Sequence, residues 1–437
     1  MRYYSTRSVD SEQINSDGVG LEQALTAGLA ADGGLFVPAQ LPRLDVQSLH
    51  TNQALSECAS QILAPYFADS SLEAELERIC HDALNLALPI IALHDDPNAW
   101  MLELFHGPTA AFKDFAARFL AACLGALRSE NQPDQTVLVA TSGDTGAAVA
   151  AAFHRKPGFS VVILYPDGKV APRQAHQLGA FGDNVRCFRV QGNFDDCQRL
   201  AKQALNDATL VKQVGLTSAN SISIGRLLPQ ISYYALAALR LGRPGQPLHV
   251  IVPTGNLGNA LACVLAREMG LPIGRIVLAT NANRTLPDFF QHREYRGRPG
   301  LATLANAMDV GDPSNFERLA WLYRERDLHQ ADVLAESVDD ATIRACIARV
   351  FTESRAIICP HTACAVELLH RYRAAGERGR WLVAATAHPA KFNEVVEPII
   401  GQTIPLPPAL ETLLKRPSQA VPLAADFDAL TAALTKP

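Results

Sequence analysis

Short apolar runs alternate with helical stretches along this chain, and glycine-rich turns join them. "TVLVA" (136–140), "SVVILY" (160–165) and "VRCFRV" (185–190) have the length and β-branched content of buried strands. Between and after them come "GAAVAAAFH" (146–154), "APRQAHQLGA" (171–180) and "NFDDCQRLAKQAL" (193–205), which read as helices. A strand that is apolar along its whole length has both faces covered, so the alternation predicts βαβ units and a parallel sheet. After "TSANSISIGR" (217–226) and a further helix, the series resumes with "LHVIVPT" (248–254), "NALACVLAREMG" (259–270) and "RIVLAT" (275–280). Two series predict two α/β domains with a ligand cleft between them.

Residues 1–95 are mixed and helix-rich, with Leu72, Leu76, Ile79 and Leu84 at helical spacing. The expected division is this N-terminal region, a first α/β domain over 96–220 that opens on strand-like "MLELF" (101–105), and a second over 221–437. Within the second, 281–340 is the least regular stretch, and "PLPPALETLLKRPSQAVPL" (405–423) reads as a tail running over the surface.

One lysine asks for an explanation. In "FHGPTAAFKDF" (105–115), Lys113 sits among Phe105, Phe112 and Phe115, and it heads a helix that places Phe115, Phe119, Cys123 and Leu127 on one face. Either its stem covers apolar surface while the ammonium reaches water, or its amine is held to react. Burial disfavours the charged form and leaves a free amine available as nucleophile and base.

Three strand-to-helix turns add possible ligand contacts. "TSGDTG" (141–146) combines a helix N-terminus, which attracts an anion, with the hydroxyls of Thr141, Ser142 and Thr145. Its bland reading is an ordinary helix cap by Asp144 or Ser142. "PTGNLGN" (253–259) offers backbone N–H groups with Thr254, Asn256 and Asn259, enough to cradle a phosphate without a cation. Lacking GxxxxGK[ST], it is not a Walker loop, and a plain βα turn would also use Asn and Gly. In "ATAHPAKF" (385–392), Thr386 at a strand end can hydrogen-bond a heterocycle. Here His388 reads as a satisfied loop histidine and Lys391 as a solvated side chain, while His106 reads as structural support beside Pro108.

A net charge of −5 with no Lys/Arg cluster argues against a nucleic-acid partner. No apolar run is long enough to span a bilayer, and "MRYYSTR" lacks the apolar core of a signal peptide, so no membrane partner and a cytoplasmic location are expected. The nine cysteines form no CxxC pair and mostly sit among apolar residues. They read as buried thiols in a reducing compartment, with no metal site.

An amine in an apolar setting, a neutral phosphate nest, a hydroxyl-rich anion loop and a lone hydroxyl at a strand end are together what pyridoxal 5′-phosphate and an amino-acid substrate require. The chain resembles the threonine synthase family of fold-type II pyridoxal-phosphate enzymes, whose sheets are of the tryptophan synthase β-like kind. The resemblance rests on "FHGPTAAFKDF", "ATSGDTGAAVA", "VPTGNLGN", "MDVGDPSNFER" (308–318), "CPHTACAV" (359–366) and "TAHPAKF", in the family's order, and on "MRYYSTR" followed by "GLAADGGLFVP" (28–38). It covers nearly the whole chain.

The resemblance implies pyridoxal 5′-phosphate, with Lys113 as the Schiff-base lysine. Gly255, Asn256, Leu257, Gly258 and Asn259 match the cofactor's phosphate loop, and Thr386 the partner of its ring nitrogen. Ser142, Gly143 and Thr145 match the loop for the substrate's carboxylate. Asp144 matches the contact to the cofactor's ring hydroxyl, and its aspartate, where many relatives have asparagine, places the chain with the short members of the family. Asn220, Ser221 and Arg226 match the set for the substrate's phosphate, with Ser223 where the family usually has asparagine; Leu257 replaces a common phenylalanine. The implied reaction turns O-phospho-L-homoserine and water into L-threonine and phosphate by γ-elimination and β-addition, and Lys113 carries most of the protons.

Alternatives remain open at this level. A phosphohomoserine phospho-lyase or another fold-type II lyase or dehydratase, giving 2-oxobutyrate, shares Lys113 and the loops, although Arg226 has no dianionic partner in an unphosphorylated substrate. A binding protein without turnover, or a nucleotide-binding module, is a rival from another class. A monomer or homodimer is expected. The segment from about Phe112 to Asn220 is expected to move as a unit when substrate bridges the two loops.

Overall fold

The computed structural model describes residues 1–8, 18–94, 96–129, 131–243 and 245–435. The strands, in chain order, are β1 (Tyr3–Ser5), β2 (Phe36–Pro38), β3 (Ile90–Leu93), β4 (Asp96–Glu103), β5 (Gln135–Ala140), β6 (Phe159–Pro166), β7 (Val185–Gln191), β8 (Leu216–Ser218), β9 (Leu248–Pro253), β10 (Ile273–Thr280), β11 (Val333–Ser337), β12 (Arg380–Ala385) and β13 (Val421–Ala424). Among the described residues they form two main sheets, β11-β10-β9-β12-β4-β3 and β13-β7-β6-β5-β8, and a small antiparallel ribbon of β1 and β2. Apart from the antiparallel edge strand β3, the pairings in the main sheets are parallel.

The pleat explains why the strand sequences are apolar throughout. Successive side chains point to opposite faces. Val250, Val252, Ile276 and Leu278 face one large cluster, which also takes Val137, Val139, Val161 and Ile163 from the other sheet. Their neighbours Ile251, Val277, Trp381 and Val383 face a second cluster behind the six-stranded sheet. Leu138, Val162, Leu164 and Phe188 face a third behind the five-stranded one. The large cluster also takes Leu55, Ile62, Tyr66 and Phe67 of the helix Leu55–Phe67, so the N-terminal region shares the central core. The helix Lys113–Leu127 buries Phe115, Phe119 and Cys123 in it, while Leu127 is only partly buried.

Sheet membership departs from the chain order read in the sequence. β4, expected to open the first α/β series, pairs with β12. It belongs there because Ala99 and Met101 complete the cluster behind the six-stranded sheet. The expected surface tail instead forms the helix Pro408–Leu414, followed by β13, which pairs with β7 at the edge of the five-stranded sheet. Leu423 and, on the last helix, Leu430 and Leu434 are buried against the third cluster. The irregular stretch supplies β11, which pairs with β10.

Each main sheet has a strand at which the order of its successors reverses. In one, β6 and β7 lie to one side of β5 and β8 to the other; in the other, β10 and β11 lie to one side of β9 and β12 to the other. Ligands of open α/β sheets bind beyond the carboxyl ends of strands at such reversals. The loops leaving β5, β8, β9 and β12 are 141–146, 219–226, 254–259 and 386–392.

Candidate active site

Lys113 is brought to the end of β12 by backbone pairing. Phe112 N donates to Thr386 O (2.8 Å), and His388 N donates to Ala110 O (3.0 Å). Asp114, buried, locks the approach by accepting from Thr109 N (2.9 Å) and Thr109 Oγ1 (2.7 Å). A side chain at Gly107 would start 2.4 Å from the Asp114 carboxylate, so the turn admits only glycine. Ala110 adopts the left-handed conformation (φ 56°), a strain typical of functional loops. Lys113 is half-buried and has no hydrogen bond or ion pair among the described residues. Burial lowers its amine to about 8; Asp144 opposes this, while Arg226 and Lys391 add to it. Its position at the helix N-terminus acts in the same direction.

In the loop after β5, Thr141 is the cap. Its hydroxyl accepts from Gly143 N and Gly146 N, both at 3.0 Å. Neither Asp144 nor Ser142 plays that part, and Thr141 is buried. Gly143 bends the chain with φ 145°, open only to glycine. Ser142 and Thr145 are half-buried. Asp144 is buried, and its Oδ1 receives both Lys391 Nζ and Gln174 Nε2, each at 2.8 Å. Lys391 and then Lys113 hold the Asp144 carboxyl well below its usual range, against the opposing effect of burial.

Lys391 overturns its sequence reading. It is 1% exposed, ion-paired, and donates to Thr109 O (2.7 Å). Its partner lies far away in the chain, so nothing in "ATAHPAKF" marked it. His388 behaves as expected: Nδ1 accepts from Ala390 N, and its ring meets Phe105 edge-on. His106 lies 2.7 Å from Glu103 on the rim. His361, buried and facing Asp144, Lys113 and Lys391, accepts from Ala307 N and is pushed by burial down to about 4.

The loop after β9 is held without an ion pair. Asn256 Nδ2 donates to Ser221 Oγ (2.8 Å), Ser314 N donates to Asn256 Oδ1 (2.6 Å), and Asn315 Nδ2 donates to Asn256 O (3.0 Å). Gly255 packs so closely that a Cβ would lie 2.7 Å from Met308 Cα. Leu257, read as a packing change only, is in the left-handed region (φ 64°) and 1% exposed. Gly258 opens the helix Gly258–Glu268. Asn259 Oδ1 lies 2.8 Å from Tyr233 OH and accepts from Tyr234 OH (2.9 Å), which leaves Nδ2 buried without a partner. Tyr233 OH also lies 2.9 Å from Gln230 Oε1, and its one proton serves one acceptor at a time.

The loop after β8 carries Asn220 and Ser221, both half-buried, and Arg226, which is 2% exposed. Arg226 Nη1 donates to Ala219 O (2.6 Å), while Nε is buried with no partner. Burial lowers the guanidinium to about 10, with Asp114 opposing. Ser223, at the position where the family usually has asparagine, is buried with an unpartnered hydroxyl. Arg318, also buried, donates to Ile222 O (2.7 Å), Asn315 Oδ1 (2.8 Å) and Phe36 O (3.0 Å), pinning this loop to the β9 loop and the N-terminal ribbon. Asn315, Arg318, Tyr233, Tyr234 and Lys391 are the supporting residues that sequence reasoning missed. The motif "MDVGDPSNFER" contained the first two, without any sign of where they point.

These features define a class before they define a family. A family model described as "Pyridoxal-phosphate dependent enzyme" matches residues 88–387, and models described as "Threonine synthase N terminus" and "Threonine synthase, C-terminal" match 2–84 and 362–434. The threonine synthase of Haemophilus influenzae is 39% identical over 96% of this chain and 97% of its own, and that of Escherichia coli K12 is 40% identical over 95% and 96%. The crystal structure of threonine synthase from Escherichia coli superposes with a TM-score of 0.90 at 37% identity, covering 99% of each chain. The pyridoxal-phosphate-bound threonine synthase from Brucella melitensis superposes with 0.90 at 32%, covering 100% of this chain and 99% of its own. The chain belongs to the threonine synthase family of pyridoxal-phosphate-dependent enzymes.

The residues fit the cofactor. The buried, unpartnered Asn259 Nδ2 lies on the neutral loop, and Gly255 makes a close backbone approach there. An amine lowered to about 8 stands beside the strand end that carries Thr386. Arg226, near enough to Lys113 to lower its amine further, has its Nε buried without a partner.

Proposed function

We propose that the chain converts O-phospho-L-homoserine and water to L-threonine and phosphate in the cytoplasm, with Lys113 binding the aldehyde of pyridoxal phosphate. What carries this reading is Arg226: a buried guanidinium with a free Nε, on a loop interlocked with the neutral phosphate loop. A planar fork suits a phosphate monoester, and a buried guanidinium that forms no ion pair among the described residues is better matched to a phosphorylated than to an unphosphorylated amino acid. Asn220 and Ser221 complete that subsite. Gly255, Asn256, Leu257, Gly258 and Asn259 hold the cofactor's phosphate through backbone N–H groups and the Asn259 amide. Thr386 meets its ring nitrogen and Asp144 its ring hydroxyl.

Bound in this way, pyridoxal phosphate supplies an electron sink that acidifies hydrogens near the substrate's amino group. The chain's own residues do the rest. Ser142, Gly143 and Thr145 hold the substrate's carboxylate at the helix N-terminus. Lys113 Nζ, an amine lowered to about 8, exchanges protons near neutral pH, taking one each from the α- and β-carbons and returning one to the γ-carbon and one to the α-carbon, while water adds its hydroxyl at the β-carbon and gives up its proton to the departing phosphate. Arg226 holds the phosphate as it leaves. The carboxylate loop follows β5 and the cofactor loop follows β9, in different sheets. On this reading a substrate spanning both draws residues from about Phe112 to Asn220 toward the second α/β unit, excluding bulk water.

The test is to incubate the purified protein and pyridoxal phosphate with O-phosphohomoserine and to measure threonine, 2-oxobutyrate and phosphate. Threonine in step with phosphate supports the reading; 2-oxobutyrate instead assigns a phospho-lyase. Borohydride reduction followed by peptide mapping should place the cofactor on Lys113, and label on another lysine overturns that assignment.

A further inference from the structure

The loop read as the seat of the substrate's carboxylate contains a buried carboxylate of its own. Asp144 cannot escape the conflict by taking up a proton, because Lys391 and Lys113 hold it ionised. Alone, it would repel the substrate. Its charge is met by Lys391, which is carried on the turn after β12 and therefore reaches across from the six-stranded sheet to a helix of the five-stranded one. The reach is fixed at both ends. Lys391 Nζ also donates to Thr109 O, Arg173 Nη1 donates to Ala390 O (2.6 Å) and holds the turn, and Gln174 steadies the carboxylate. Lys391 and Gln174 both take Oδ1; Oδ2 forms no hydrogen bond among the described residues.

We propose that Lys391 is a positioning residue of the reaction: it cancels the charge of Asp144 so that the 142–145 loop accepts a carboxylate, and it fixes Asp144 with Oδ2 left for the cofactor beside Lys113. The inference rests on the reading of that loop as the substrate's carboxylate seat. Around the pair stand Lys113, Asp114, Cys359, His361 and His388, with Arg226 beyond Lys113. His361 and His388 are held down to about 4, and burial pushes both Cys359 and Asp114 up from their usual ranges, while the Lys113 amine is lowered to about 8.

The experiment compares the wild type with Lys391→Met, Asp144→Asn and the double variant, each loaded with pyridoxal phosphate. Lys391→Met leaves a lone buried anion in the loop. KM for O-phosphohomoserine should rise roughly 100-fold, with a smaller fall in kcat, as for a lost charge-assisted pair. The pH midpoint of the bound cofactor's visible absorbance should rise by about one unit or more, because an uncompensated anion favours the protonated form at Lys113. Adding Asp144→Asn should restore both quantities most of the way, which a merely structural lysine would not allow. Asp144→Asn alone strands the ammonium and should shift the midpoint down. If Lys391→Met fails to fold while the double variant folds and loads, that too supports the inference. A double variant no better than Lys391→Met, in folding, KM or midpoint, overturns it. A wild type that makes no threonine defeats the functional reading instead, whatever the variants do.

Discussion

The loops after β5 and β9 solve one problem in opposite ways. Each follows a buried strand, opens a helix and lies at a reversal of strand order. The first contains a formal charge, Asp144, answered by a lysine from the other sheet. The second has no ion pair; amides, hydroxyls and backbone groups hold it. The first spends glycine at its sharpest bend, φ 145° at Gly143, whereas the second forces Leu257 into the left-handed region. A site for a resident ligand tolerates fixed strain and needs only neutral donors. A site that fills and empties at each turnover needs its charge set so that neither occupied nor empty state is trapped. On the proposed function, the neutral loop serves the cofactor and the charged one the substrate.

The harshest test of this division is Lys113→Ala. Turnover should fall by about 10⁴-fold or more, since nucleophile and proton carrier vanish together. Pyridoxal phosphate should still bind reversibly through the neutral loop, detected by equilibrium dialysis; loss of all binding would mean that the loop does not seat it. Next comes Arg226→Ala. Removing one partner of a buried charge-assisted contact is worth roughly 2–5 kcal/mol, so kcat/KM for phosphohomoserine should drop from about 30-fold to several thousandfold. Cofactor loading should stay intact, and unchanged kinetics would place the substrate's phosphate elsewhere.

Gly255→Ala reaches the neutral loop alone. Its Cβ would meet the Met308 backbone at 2.7 Å, so one backbone must move. Overpacking of this kind costs about 1–3 kcal/mol, and the dissociation constant for pyridoxal phosphate should rise roughly 5- to 150-fold. At saturating cofactor, KM for the substrate should change little; an equal rise in that KM would break the division of labour. Leu257→Gly weighs strain against burial. Strain relief returns about 1 kcal/mol, while the lost buried side chain forfeits about 2. Burial wins, and denaturant melts should show a modest net loss of stability. The smallest effect is a slope with pH. Because Lys113 is lowered to about 8 in the folded chain, the unfolded chain binds more protons between pH 8 and the ordinary lysine value. Stability of the cofactor-free protein should therefore rise with pH across that window, and Lys113→Met should flatten the rise.

The parallel sheets were legible because β5, β6, β9 and β10 carry their burial in their own letters. Lys113 was legible for a similar reason: a charged residue among three phenylalanines announces a special environment. Lys391 was not, since its meaning depends on Asp144, which only the fold brings to 2.8 Å. Tyr233 and Tyr234 look like core aromatics in a helix and are that as well; their hydroxyls gain a role only because Asn259 packs beside them. The partner of β4 was not legible because local pattern reports that a strand exists and says nothing about what it pairs with, and β13 was hidden in a proline-rich stretch that reads as a surface tail.

Those two strands bear on how the chain is made. Ala99 in β4 waits for Trp381, and Phe188 in β7 waits for Val421. A chain emerging from the ribosome N-terminus first therefore cannot finish the six-stranded sheet before residue 385 or the five-stranded sheet before residue 424 has been synthesised. Until then, the flank of β4 that β12 will cover and the edge of β7 that β13 will cover offer unpaired backbone to other nascent chains. Loss of residues 421–435 would strike the sheet that presents Ser142 and Asp144, although these were translated hundreds of codons earlier.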